Sequence, residues 1–165
     1  MNDVLQAILA RRSIRAFADR PVSRDAIDAI LEAGRFAPSG KNTQPWRFVV
    51  VQSKDRRAAL ARLAPQADMI ATAPVTLAVL RDRNAGYDEL KDAQGIGAAI
   101  ENILLAAHSL GLGACWMGKA REAAIERELG VREGEELMAI IPLGYPAEVP
   151  PPTPRLSSEE LVRYV

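Results

Sequence analysis

Behind Asn2 and Asp3, either of which can cap a helix, the apolar residues Val4, Leu5, Ile8 and Leu9 recur at helical spacing. Ser23 can cap a second helix with Ile27, Ile30 and Leu31 on one face, punctuated by Gly34 and Pro38. Residues 38–45, PSGKNTQP, form a polar loop between two prolines and lead into 46–51, WRFVVV, which reads as a buried strand. A short helix from Ser53 to about Leu63 and a second strand over 74–80 follow. The longest helical pattern runs from about Asp88 to Leu110. Its middle is apolar nearly all round, which predicts burial within a core or between subunits. Gly111 and Gly113 end it, and Ala114 to Met117 read as a short strand. Arg121 to Leu129 read as a surface helix and 137–145 as a strand. A proline-stiffened tail covers 146–155, and a final short segment begins at Ser157. With no repeat and no linker, this order predicts one α+β domain over residues 1–165.

Composition narrows the function. Apolar residues make up 48% of the 165, enough for a globular core, and 21 basic residues balance 21 acidic ones. A neutral chain is a poor nucleic-acid or polybasic membrane protein, so any anion site must be local. One cysteine, Cys115, excludes an internal disulfide. Together with an N-terminus that lacks a signal-peptide pattern, this leads to an expected cytoplasmic setting. No apolar stretch is long enough to span a bilayer.

Three familiar chemistries fail on the residues available. Gly95-Ile96-Gly97 lacks both a preceding strand and the third glycine of a dinucleotide fingerprint, and reads as helix packing. A single histidine, His108, and a single cysteine do not make a metal cluster, and no metal is expected. Cys115 has no evident base partner and no GxSxG elbow exists, so hydrolytic machinery is missing. An enzyme with so little side-chain machinery would rely on a bound organic cofactor.

An anion site does have candidates. LARRSIRAF, residues 9–17, places Arg11, Arg12 and Arg15 within five positions. Cations suit the negative end of a helix. Arg11 and Arg15 would also share a face if the helix persists, with Ser13 between them, and guanidinium forks match phosphate oxygens. In the 38–45 loop, the Asn42 and Gln44 amides and the Ser39 hydroxyl offer donors and acceptors suited to a heterocycle edge.

RRSIRAF followed by PSGKNTQPWRFVVV, then the apolar helix leading into GLGACWMG, then GYPAEVPPPTPRL, resembles the nitroreductase family of flavin enzymes across essentially the whole chain. The resemblance implies an α/β/α sandwich with a mostly antiparallel central sheet, in an intertwined homodimer with FMN between the subunits. It implies that Arg11, Arg12 and Ser13 meet the phosphate and ribityl chain, and that Arg15 reaches the pyrimidine edge of the flavin. Pro38, Ser39, Asn42 and Gln44 match the loop that touches the flavin from the partner subunit. Met117, Gly118 and Lys119 match the segment along the flavin's N5 edge, and Arg155 matches a tail arginine of the phosphate site.

Two departures stand out. Thr153 occupies a place where many relatives carry a second basic residue, and only RDRNAGYDEL separates the second strand from the long helix, where longer relatives insert helices. A more open cleft is expected. Lys41 reads as an exposed loop residue. The implied activity is hydride transfer from NADH or NADPH through the flavin to a nitroaromatic, quinone or related acceptor, with ping-pong kinetics. The alternatives are a flavin-dependent dehydrogenase or oxidase of a small metabolite, and a flavin-binding protein without turnover.

Overall fold

The computed structural model describes residues 2–118 and 123–165. Four strands, β1 (Trp46–Val51), β2 (Val75–Asp82), β3 (Gly113–Ala114) and β4 (Glu135–Gly144), form one sheet in the order β1-β2-β4-β3. Every pairing is antiparallel.

β2 is apolar at nearly every position because both of its faces are covered. Val75, Leu77 and Val79 face one core, while Ala78 and Leu80 face the other. The first core is closed by α2 (Arg24–Arg35) and α5 (Glu89–Ser109), through Ile27, Ile30, Ile96, Ile100 and Ile103. The second is closed by α3 (Lys54–Leu63), α4 (Ala67–Thr72) and α6 (Ala123–Leu129), through Leu60, Ile70 and Ile125. The result is the helix–sheet–helix sandwich that the resemblance implies. On β4 the alternation slips at a bulge: Val79 pairs with Ala139 but Leu80 pairs with Leu137, so Met138 is the extra residue. The bulge lets Leu137 and Ile140, three apart, reach the same core.

Local chemistry explains most boundaries. Asn2, Ser23, Ser53 and Asp88 cap α1 (Asp3–Ala10), α2, α3 and α5 by accepting backbone N–H groups of the first turn. A capping box of Ser157 with Glu160 starts α7 (Ser158–Leu161) in the exposed tail. One helix is additional to those expected. α4 follows Gln66, which stands at φ 73°, and Arg57 of α3 donates to the carbonyls of Ala71 and Ala73 and holds the end of α4.

α1 has no buried residue, and Val4, Leu5, Ile8 and Leu9 all face outward. A groove lined by Val4, Ala7, Phe36, Asn102, Leu105 and Ala106 runs beside it. α5 is thus covered on the core side and bare along part of its length, in keeping with its all-round apolar sequence. No described helix is long and apolar enough to cross a membrane.

The ends of β2, β4 and α5 are joined by an ion network. Arg81 Nε lies 3.2 Å from Asp92, and Nη1 lies 3.4 Å from Glu136 and 3.6 Å from Glu89. Asp92 is 1% exposed, so removing its cation strands a buried charge. Arg81→Leu should therefore lower unfolding stability by about 3–5 kcal/mol in chemical denaturation. Arg24→Ala, which breaks an exposed pair with Asp28 on α2, should cost under about 0.5 kcal/mol. Equal losses would contradict the network's role.

Candidate functional site

α1 stops at Ala10, so Arg11 and Arg15 do not share a helical face as their spacing suggested; Arg11 is the C-cap, at ψ 138°, and the chain leaves extended. In extended backbone, alternate residues share a side. Ile14 points into the second core at 3% exposure, while its N–H donates to Ala114 O at 3.0 Å. Ser13 bridges to Ala114 of β3 in parallel. Gly113 permits this approach, because a Cβ there would overlap the Ile14 side chain. Docking on the sheet edge fixes the path of residues 11–15 and so places their side chains.

Those side chains meet in a cleft of about 420 Å³ lined by Arg11, Arg12, Ser13, Arg15, Thr153 and Arg155, with Glu101 of α5 on one wall. The cleft is within the usual size range for ligand sites. Four guanidiniums against one carboxylate leave a local charge of +3 (4 − 1) in a chain that is neutral overall. Each arginine is held differently. Arg11 Nε lies 3.5 Å from Glu101, an ion pair whose geometry makes no hydrogen bond, and the Nε atom is buried without a hydrogen-bond partner among the described residues. Arg12 Nη1 donates to the carbonyls of Leu9, Ala10 and Arg11 at 2.8–2.9 Å. The helix-end reading therefore holds for Arg12. Arg15 is exposed, with Nη1 3.4 Å from Ser13 O.

Glu101 was not singled out by the sequence analysis. The signal was available, because it is the only acidic residue between Asp92 and Glu122, in the middle of the apolar helix. A lone carboxylate in that setting marks a face of the helix that is not closed into the core, and it stands against Arg11.

Pro38, Ser39, Asn42 and Gln44 do not line this cleft. They belong to a separate loop with a short 3₁₀ turn at Gly40–Asn42, packed where Gly95 of α5 faces Pro38 and Ser39. Lys41, Asn42 and Gln44 all have left-handed backbone, at φ 54°, 55° and 49°. Non-glycine residues there cost on the order of 1–3 kcal/mol each and collect at functional sites. Ser39 Oγ accepts from Gln44 N at 2.9 Å, and Arg47 Nη1 donates to Gln44 O at 3.2 Å, which holds the turn shut.

Met117 is buried, and both its N–H and its C=O are engaged with Ile140, at 2.9 and 3.1 Å. Gly118 is exposed, and a side chain there would touch nothing among the described residues. Lys119 lies outside the described residues. Among the described residues, no group of His, Cys, Asp and Glu could hold a metal ion. His108, half-buried, lines a small cavity behind Arg11 and Arg12 with Leu104, Leu112 and Pro146.

Comparison with known proteins bears on what such a cleft holds. The model of the nitroreductase family matches residues 8–67 and 61–145. A protein of Methanothermobacter thermautotrophicus with the provisional name NADH dehydrogenase/NAD(P)H nitroreductase is 41% identical over 152 residues, covering 90% of this chain and 80% of its own. The FMN reductase [NAD(P)H] of Bacillus subtilis is 31% identical over 180 residues, covering 96% of this chain and 72% of its own. A crystal structure from Desulfovibrio desulfuricans, provisionally named a nitroreductase and solved in complex with FMN, superposes with a TM-score of 0.93 at 41% identity. That match covers 100% of this chain and 98% of the other.

Cys115, next to β3, is buried and free. Burial pushes its thiol above the ordinary value, against the downward pull of the Arg15 and Arg11 guanidiniums. Since only the thiolate reacts, a disulfide reagent at pH 8 should label the native protein at least about tenfold more slowly than the denatured chain. Equal rates would contradict the shielding.

Proposed function

The chain belongs to the nitroreductase family, and on that premise we propose that it is an FMN-dependent oxidoreductase that passes hydride from NADH or NADPH to a nitroaromatic, quinone or related acceptor. The observation that carries the reading is the cleft of Arg11, Arg12, Arg15 and Arg155, in which the Arg11 Nε is buried with no hydrogen-bond partner. A buried guanidinium N–H that stands 3.5 Å from Glu101 yet makes no hydrogen bond among the described residues is what a bound anion would satisfy. Ser13 and Thr153 supply hydroxyls beside it. One compact phosphate suits this donor set, and FMN carries one.

FMN, when bound, supplies the hydride-accepting and hydride-donating chemistry. The chain's residues bind, orient and set charge. Arg11 and Arg155 would hold the phosphate, with Arg12 and Ser13 toward the ribityl chain. Arg15, exposed in the cleft, would reach the pyrimidine edge and favour negative charge there. Thr153 replaces a charge-assisted hydrogen bond by a neutral one. Gly118 would present backbone along the flavin's N5 edge. Nothing among these groups is an acid or a base, so the chain acts by position and charge, with donor and acceptor alternating in one site by a ping-pong scheme.

The site is completed by a second copy. The left-handed loop of Pro38, Ser39, Asn42 and Gln44 lies apart from the arginine cleft within the chain. α1 and the groove beside it leave apolar surface uncovered, and Leu156, Leu161 and Val162 of the tail are exposed. A homodimer that buries these surfaces brings the loop of one copy to the cleft of the other. Residues 1–165 act as one FMN-binding domain, and a chain with one free buried thiol suits the cytoplasm.

Arg11→Ala and Arg155→Ala should each weaken FMN binding at least about tenfold in a fluorescence titration. Unchanged affinity in both would remove the phosphate assignment. Arg15→Ala should leave binding nearly intact and lower the reduction potential of the bound flavin, measured against a reference dye. A potential equal to that of the unaltered protein would end the role given to Arg15.

A further inference from the structure

The strained loop at residues 40–44 needs something to keep it left-handed, and the segment 83–88 between β2 and α5 supplies it. The Tyr87 ring lies directly on Gly40, where an added Cβ would overlap the Tyr87 hydroxyl and sit 2.8 Å from the ring. Lys41 Nζ stands 4.6 Å from the centre of the same ring, a cation–π arrangement on the residue that begins the left-handed run. Tyr87 thus touches two consecutive residues of the loop from above.

Tyr87 is itself anchored. Its N–H donates to Asp92 Oδ1 at 3.3 Å, and Asp92 is the buried partner of Arg81. At the other end of the segment, Asp82 Oδ1 accepts from Asn84 N at 2.9 Å and from Ala85 N at 3.3 Å. Asp82 Oδ2 accepts from Arg47 Nη2 at 2.7 Å, and Arg47 Nη1 donates to Gln44 O. Two carboxylates of the 82–92 region therefore clamp the 40–44 loop, one through Arg47 at its end and one through Tyr87 at its start.

We propose that Tyr87 is a positioning residue that holds the 40–44 loop in its left-handed conformation, anchored by Asp92, and thereby keeps the loop competent to meet the cofactor. The link to the cofactor rests on the proposed function; the brace on the loop does not. The short 83–88 segment is then a structural support of the site and not merely a connection. A ligand that needs one loop conformation binds in proportion to how often the loop adopts it. Releasing the loop therefore weakens binding without touching a single ligand contact.

The test is hydrogen exchange on the full-length protein without added flavin, alongside an FMN titration of the same samples. The amides of Asn42, Thr43 and Gln44 are bonded to Ser39 O, Gly40 O and Ser39 Oγ, so their exchange reads the loop itself. Tyr87→Ala should speed their exchange and weaken FMN binding, each about tenfold. Tyr87→Phe, which keeps the ring, should restore both. Gly40→Ala, which pushes the ring away from the other side, should repeat the Tyr87→Ala result. Exchange unchanged in Tyr87→Ala, or as fast in Tyr87→Phe as in Tyr87→Ala, overturns the proposal. Faster exchange with unchanged FMN affinity supports the brace and removes the loop from the cofactor site, which separates failure of the proposed function from failure of the inference.

Discussion

Mutual repulsion among four guanidiniums is the constraint around which the site is built. Like charges that share a cleft repel, so such a cluster forms only where the chain is forced to hold it. Here the force comes from outside the cluster. The sheet edge at Ala114 takes the backbone of residues 13 and 14, and the core takes the Ile14 side chain. Glu101 offsets one charge, and the last carbonyls of α1 engage Arg12. What is left is a net positive cleft with an unsatisfied buried donor, in a protein whose total charge is zero. A site of this kind is unfavourable until an anion enters it, and that difference is available as binding energy.

The helix caps and most of the strands were legible in the sequence because each is decided locally. Asn2, Ser23, Ser53 and Asp88 cap their own first turns, and the apolar run 46–51 lies on a sheet covered on both sides. α4 was not legible: six residues give too little periodicity to separate a helix from a loop, and its start depends on the left-handed Gln66. The bulge at Met138 was hidden for another reason, since strand register is decided by the partner strand. Within the site, the arginines were found but their arrangement was not. A helical spacing placed Arg11 and Arg15 on one face, whereas the extended chain after Ala10 brings them to one cleft. Glu101, Arg47 and Tyr87 act across long sequence separations, and only the fold shows what they support.

The division of the predicted residues between two places is itself informative. A cleft that gathers the arginines, and a strained loop that lies elsewhere in the same chain, make little sense as one site in one copy. On the proposed reading a second copy would cover the bare α1 and the uncovered stretch of α5 and would supply the loop to the cleft.

If the arginine cleft holds a flavin, NADH or NADPH should reduce it. An anaerobic visible spectrum of the purified protein, taken with FMN and then after each nucleotide in turn, tests it most directly. The account predicts a protein-bound flavin spectrum that bleaches on addition of at least one of the two. A protein that takes up no FMN, or a bound flavin that neither nucleotide bleaches, would contradict it.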